Sequence, residues 1–280
     1  MRKPYALRKG FSMLMAALTV ISAGVSAAVL LILLIYVLRQ GAAAIDLDFF
    51  TRNPLPVGEP GGGIANAIVG SFVVVGLAAL FALPIGIGSG IYLSEFGRNR
   101  FGDIVRFLAD VLSGVPSIIM GLFAYVVVVA QQKHFSALSG GFALGVMMLP
   151  IVTRTTEEML RMVPDSVREA GLALGIPRWR VLVHAVIPAA SRGILTGVVL
   201  ALARVAGETA PLLFTAFGNP YFSLDINQPI ATLPHTLFTY AISPYDDWRL
   251  MAWGTALVLT ALIFIASLLI RAIGETHYEI

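Results

Sequence analysis

Arg204 and Glu208 are the residues most at odds with their surroundings and most able to act on an ion. They stand four apart in Leu202-Ala203-Arg204-Val205-Ala206-Gly207-Glu208-Thr209-Ala210-Pro211, a spacing that puts both on one face of a helix, with the Thr209 hydroxyl adjoining. A charge at the centre of a membrane span costs about 2.5–3.5 kcal/mol and needs a partner or a wet cavity. The simplest reading is an ion pair within the helix that neutralises both charges. It is a poor one, because a buried pair seldom stabilises over apolar replacements. The functional reading is an anion pathway. A guanidinium offers a fixed fork of donors to an oxyanion, and Glu208 would orient it or balance its charge when the site is empty. Gly207 and Pro211 would loosen the backbone there, as transport sites often require.

A second constellation lies just before it. The segment from Thr153 to Arg192 carries Arg154, Arg161, Arg168, Arg178, Arg180 and Arg192 in an otherwise oily chain. Leu160, Val163, Val167, Ala170 and Leu174 recur at helical spacing, as do Trp179, Leu182 or Val183, and Val186. Gly175 supplies a helix stop and Pro177 fits the first turn of a new helix. The expectation is two short amphipathic helices joined by a tight turn, placed between spans to touch another protein. Ser166 and Glu169 have the spacing of a capping box, so the carboxylate has a structural use as well.

Catalytic chemistry finds no footing. His134, His184, His235 and His277 lie in separate segments, with no HExxH and no paired metal-ligand spacing. His184 reads as a surface or contact residue. There is no GxSxG and no GxxxxGK[ST], so the chain has neither a nucleophile elbow nor a P-loop, and any ATP that drives it must bind another chain. The cysteine count is zero, which removes disulfides and thiolate metal sites.

The elements that must position these groups are membrane helices. The chain is 58% hydrophobic and 12% charged, with a mean hydropathy of +0.85, far from the soluble pattern of about 25% charged residues. Arg2, Lys3, Arg8 and Lys9 precede an apolar run too long for a signal peptide of about 7–15 apolar residues, so Met15 to Leu38 is expected as an uncleaved first span. An external loop follows to Gly63. The second span runs from Ile64 to Leu93, and Glu95, Arg98, Arg100, Asp103 and Arg106 form a charged turn. The third covers Ile104 to Ala130, interrupted near Gly114-Val115-Pro116. Asp110 near its start is a helix-end cap or a polar contact within the bundle. The fourth, Phe135 to Val152, is the weakest by composition; the fifth is Gly193 to Phe217 and the sixth Leu250 to Ile270. Gly86/Gly90, Gly141/Gly145 and Gly193/Gly197 have the spacing of close helix packing. With six spans, only Arg39, Arg52, Lys133 and Arg249 of the nineteen basic side chains fall outside, apart from Arg204 within a span. The positive-inside rule then places both termini and the arginine-rich loop in the cytoplasm.

The arginine-rich loop resembles the EAA signature of ABC importer permeases, with Glu169, Ala170, Gly175 and Pro188 at matching positions. Gly171, Ala185 and Ile187 depart from it mildly. Gly114 to Leu122, Val163 to Ala170, and Ala203-Arg204 through Leu212 further resemble the phosphate permeases of the PstA family, over roughly Ile64 to the C-terminus. The Arg-x-x-x-Glu-Thr-Ala-Pro run is what points to phosphate; permeases for sulfate, molybdate or another oxyanion are the nearest alternative, an autonomous channel or carrier a more distant one.

The resemblance implies an all-α integral membrane fold with six transmembrane helices, the type I, MetI-like ABC importer permease with cytoplasmic coupling helices, in the bacterial inner membrane. It divides the chain into a cytoplasmic N-terminus (1–14), a first helix with its external loop (15–63), a permease core (64–271) holding the EAA loop (153–192), and a cytoplasmic tail (272–280). It implies a substrate pathway through Arg204, Glu208 and Thr209, and ATPase coupling through Ser166, Arg168, Glu169, Ala170, Gly171 and Gly175, with Glu169 both capping its helix and bridging to the ATPase. It also implies partners: a homologous PstC-like permease, a dimer of PstB-like ATP-binding subunits holding ATP and Mg, a PstS-like phosphate-binding protein outside, phosphate itself and membrane lipid. The chain would have no cofactor, metal or catalytic residue of its own. The loop 218–248 is expected as an external lid or docking surface.

Overall fold

The computed structural model describes residues 5–56, 59 and 61–275, and every regular element among them is helical. In chain order these are α1 (Tyr5–Ala42), α2 (Leu47–Thr51), α3 (Ala65–Glu95), α4 (Arg100–Gly114), α5 (Ser117–Ala124), α6 (Ala130–Gln132), α7 (Ala137–Arg161), α8 (Asp165–Ala173), α9 (Arg178–Val181), α10 (Ile187–Ala206), α11 (Ala210–Leu213), α12 (Leu233–Ala241) and α13 (Asp246–Glu275). π-helical turns at Tyr125–Val129 and Leu182–Val186 join α5 to α6 and α9 to α10. Among the described residues, five helices are long and apolar enough to cross a membrane, α1, α3, α7, the α9–α10 run and α13, with a sixth span if α4 and the α5–α6 run count as one.

The third expected span is not one helix. α4 meets the α5–α6 run at a bend of 107°. Pro116 is the cause: the residue before a proline is pushed out of the helical region, and Val115 takes φ −73°, ψ 131°. The charged turn before it is also shorter than expected. Asn99 caps α4 by accepting from Gly102 N–H at 2.8 Å, so Arg100, Asp103 and Arg106 already belong to the helix.

α7, the span weakest by composition, is the centre of the bundle and reaches on to Arg161. Thr153, Thr156 and Glu157, expected in a loop, are buried on it. Its glycines lower its hydropathy but let neighbours approach. Gly141 and Gly145 face Leu77 and Phe81 of α3, while Gly86 and Gly90 of α3 face Val152 and Thr156 of α7. On the other side, Gly193 and Gly197 of α10 face Met159 and Thr155. All three glycine pairs therefore grip the same helix. A core of Val74, Ala78, Met148, Val152, Ala201 and Val205 fills the space between α3, α7 and α10.

At the end away from α8, the first N–H groups of α7 are satisfied by the chain beyond α11. Ser136, Ala137 and Leu138 N–H donate to the carbonyls of Thr215 (3.1 Å), Gln228 (3.0 Å) and Ile226 (2.9 Å). The stretch 218–248 is thus not a free loop. It folds back onto the bundle, forms α12, and donates Leu233 N–H to Ser71 Oγ at 2.7 Å. α1 stands apart and meets α13 near its own C-terminal end, where Tyr36 and Trp253 pack edge to face at 5.2 Å.

Candidate functional site

The helix that carries Arg204 breaks immediately after it. α10 stops at Ala206, with Gly207 N–H donating to Arg204 O at 3.3 Å and Glu208 N–H to Val205 O at 3.2 Å. Pro211 dictates the break, because a proline clashes with the carbonyl four residues earlier, here that of Gly207, and cannot donate to it. The chain restarts at Thr209, which stands at the N-cap position of α11 without a side-chain capping bond and sends its hydroxyl toward Pro234 O at 3.5 Å. The expectation that Arg204 and Glu208 share a helix face is therefore corrected. Glu208 lies beyond the end of α10, and no ion pair joins the two among the described residues.

Arg204 is exposed on this chain, on a stripe of α10 with Thr196 and Leu200 at steps of four. The break sits beside Val74, Leu144 and Leu212, and Leu144 lies about 10 Å along α7 from its first residue at 1.5 Å per residue. An unpaired guanidinium at that depth cannot face lipid at tolerable cost, so this face of α10 is where water, an anion or a second protein must lie. The carbonyl end of α10 favours the cation in its last turn.

At the other end, α8 and α9 form the expected short helical pair. α8 closes in a Schellman motif: Gly175 takes φ +76°, its N–H donates to Leu172 O at 2.9 Å, and Ile176 N–H donates to Gly171 O at 3.2 Å. Gly171, the departure from the EAA pattern, is where α9 crosses. A Cβ there would lie 2.6 Å from Val181 Cγ2. Ser166, Glu169 and Ala170 are exposed. The capping box does not form, because α8 starts after Pro164 and Ser166 already lies inside it. Glu169 has no hydrogen bond or ion pair among the described residues, which leaves its carboxylate open to a partner.

Arg168 is different. It turns inward and ties three elements together, donating to Glu95 Oε1 at 2.8 and 3.2 Å and to the carbonyls of Leu160 at 2.8 Å and Val163 at 2.7 Å. It holds α8 to the ends of α3 and α7 with most of its side chain turned inward.

The spacing rules passed over one group entirely. Glu157 is 1% exposed and accepts from three guanidiniums: Arg106 at 2.7 Å, Arg154 at 3.2 Å and Arg161 at 2.8 Å. Arg154 also grips Asp110, with Nε 3.0 Å from Oδ1, so Asp110 is a contact within the bundle. Arg106 further donates to the carbonyls of Leu93 and Gly97, both at 2.9 Å. The signal available in the sequence was helical: Glu157 follows Arg154 by three and precedes Arg161 by four, one face of one helix.

Beyond α11, a cavity of about 720 Å³ opens between the α2–α3 connection and α12. Asn66 and His235 line it; burial holds the His235 imidazole below its ordinary value, and on the same helix it pushes the Tyr240 phenol up to about 12.

Residues 82–275 match the family described as "Binding-protein-dependent transport system inner membrane component". The chain is 50% identical over 239 residues to the "Phosphate transport system permease protein PstA" of Xylella fastidiosa strain Temecula1, covering 84% of this chain and 83% of that one. It is 44% identical over 265 residues to the protein of the same name from Haemophilus influenzae, covering 94% of each. This chain belongs to the PstA family of ABC importer permeases. Its fold has a neighbour among solved structures in the inward-facing MetNI methionine ABC transporter, with a TM-score of 0.61 at 16% identity, covering 76% of this chain and 94% of that one. As a PstA-family permease it is a multi-pass inner membrane protein.

Proposed function

We propose that this chain forms one half of the membrane passage of an ATP-driven phosphate importer, with Arg204 as its anion-binding group and α8 as its contact with the ATPase. The observation that carries the reading is the exposed Arg204 beside the break between α10 and α11, with no carboxylate partner among the described residues. Unwound backbone at a half-helix end is the usual construction of a transport site. Glu208 and Thr209 follow Arg204 in the chain, within the break. The exposed stripe of α10 would face a second permease of the same fold, which completes the passage. With no P-loop in the sequence, ATP and Mg would bind a separate ATPase dimer, and an extracytoplasmic binding protein would deliver phosphate to the opposite side. The positive-inside rule puts α8 and both termini in the cytoplasm. Closure of the ATPase dimer would push on α8 and, through Arg168, on the ends of α3 and α7. Arg204 lies 17 residues beyond the start of α10, about 26 Å at helical rise, so pushing and binding take place at opposite ends of one rod.

The test is phosphate uptake by the reconstituted complex, competed with sulfate and arsenate. Two charge-assisted hydrogen bonds at about 1.5–3 kcal/mol each predict that Arg204→Ala lowers ATP-dependent uptake by more than about a hundredfold while the complex still assembles. Unchanged uptake overturns the role of Arg204, and equal competition by sulfate overturns phosphate as the preferred ion.

A further inference from the structure

A second cavity, of about 800 Å³, lies between α8, the end of α7 and the α3–α4 turn. Four guanidiniums line it, those of Arg98, Arg161, Arg168 and Arg178, against the three carboxylates of Glu95, Asp165 and Glu169. The charges are not matched pair by pair. Glu95 and Asp165 are both engaged by Arg168, at 2.8 and 3.5 Å. Arg161 has only a share in Glu157, which also serves Arg106 and Arg154. Arg178 stacks 5.7 Å from the centroid of the Phe96 ring, and neither it nor Arg98 has a carboxylate partner among the described residues. The Ser94 hydroxyl, on the same wall, is buried with no hydrogen-bond partner. Three under-neutralised forks and a spare hydroxyl donor around one space match the oxygens of a tetrahedral anion and outnumber the one carboxylate on the wall without a partner among the described residues, that of Glu169.

We infer that this cavity binds a phosphoryl group, either free inorganic phosphate or the headgroup of an anionic phospholipid, and that its occupant damps the movement of α8. The inference rests on the reading of α8 as the ATPase contact. The three arginines belong to different parts: Arg98 to the α3–α4 turn, Arg161 to the end of α7 and Arg178 to the start of α9. An anion held by all three adds a second tie, beside that of Arg168, between the helical pair the ATPase would push and the ends of the spans. If the anion is free phosphate, accumulated product restrains its own import. If it is a lipid, the restraint is set by the membrane.

The test is hydrogen exchange of α8 in the assembled complex, which does not depend on uptake being measured. In phosphatidylcholine nanodiscs, millimolar inorganic phosphate is expected to slow exchange of α8 about tenfold relative to chloride at equal ionic strength. In phosphatidylglycerol nanodiscs without phosphate, equal slowing assigns the site to lipid instead. Either protection should shrink in Arg98→Gln, which alters an exposed turn, and vanish in Arg98→Gln/Arg178→Gln. Protection retained in the double variant overturns the site. So does α8 exchange indifferent to both phosphate and lipid, as when an acidic segment of the ATPase fills the space. Wild-type complex that shows the protection yet moves no phosphate would sink the importer reading and leave this site standing.

Discussion

Replacing Arg168 by glutamine unhooks α8 from two spans at once. The lost contacts are two hydrogen bonds to Glu95 Oε1, at 2.8 and 3.2 Å, and two to the carbonyls of Leu160 and Val163, at 2.8 and 2.7 Å. The Glu95 side chain is 6% exposed and that of Arg168 is 18% exposed, so the variant leaves a carboxylate stranded. Removing one partner of such a pair costs about 3–5 kcal/mol. The bond to Asp165, whose side chain is 79% exposed, adds little. The cost falls on α8 and not on the whole bundle, because α8 is a surface helix with no fully buried residue of its own. At 1.4 kcal/mol per tenfold, α8 amides should exchange about a hundredfold faster or more. ATP hydrolysis by the complex should persist while phosphate moved per ATP falls. Glu95→Gln in the same chain removes the stranded charge, so the double variant should recover about 2 kcal/mol relative to the sum of the single changes. Native exchange and native stoichiometry in Arg168→Gln would refute the staple; a double variant no better than additive would refute the stranded charge as its cause.

Three further outcomes follow from the same geometry. Glu169→Lys, at an exposed residue without a partner, should leave thermal stability within about 0.5 kcal/mol while uptake driven by the ATPase falls at least about tenfold; loss of stability instead would mean the carboxylate serves its own helix. Gly197→Ala places a Cβ 2.1 Å from Thr155 Cγ2, whereas Gly76→Ala meets nothing within 4 Å, so a thermal melt should show the first less stable by about 1–3 kcal/mol and the second close to wild type. His235 is held below its unfolded value of 6.5, so the stability it contributes is fully present above that pH and is lost as pH falls through the lower folded value; exchange of α12 should accelerate over that acidic window and lose the trend in His235→Gln, and an acceleration toward alkaline pH would contradict the burial.

The sequence made the class of protein and five of the six expected spans legible, because hydropathy is additive along the chain, while the third is broken at Pro116. It also located Arg204 and the α8–α9 pair, each marked by charge in an apolar setting or by a Gly-Pro stop. The misses share a physical cause, which is that they depend on what a residue meets in space. α7 looked weak because glycine and serine lower its hydropathy, yet those residues bring α3 and α10 close enough to bury it. Arg168 was grouped with a docking surface because its neighbours are exposed, but its length lets it turn back to Glu95, far away in sequence. Glu157 was invisible as a site because two of its three arginines are helical neighbours of an ordinary kind, and only Arg106, from another helix, makes the cluster a junction. The break after Ala206 was half legible: Gly207 and Pro211 announced loosened backbone, but not that Glu208 would fall off the face of Arg204.

Arg106 and Arg168 do the same work, and together they close a circuit. Arg106 of α4 lies across the end of α3, on the carbonyls of Leu93 in its last turn and Gly97 just beyond it, and pairs with Glu157 of α7. Arg168 of α8 lies across the end of α7, on the carbonyls of Leu160 in its last turn and Val163 just beyond it, and pairs with Glu95 of α3. Each arginine thus caps one of the two central helices and is anchored to the other. With Gly86, Gly90, Gly141 and Gly145 interlocking the same two helices along their length, α3 and α7 cannot be pulled separately at this end. α8, joined to both by Arg168, is part of the same tied unit. The 107° corner between α4 and α5 and the break between α10 and α11 have no arginine staple of this kind among the described residues, and the anion role proposed for Arg204 would place the ion beside the second of them.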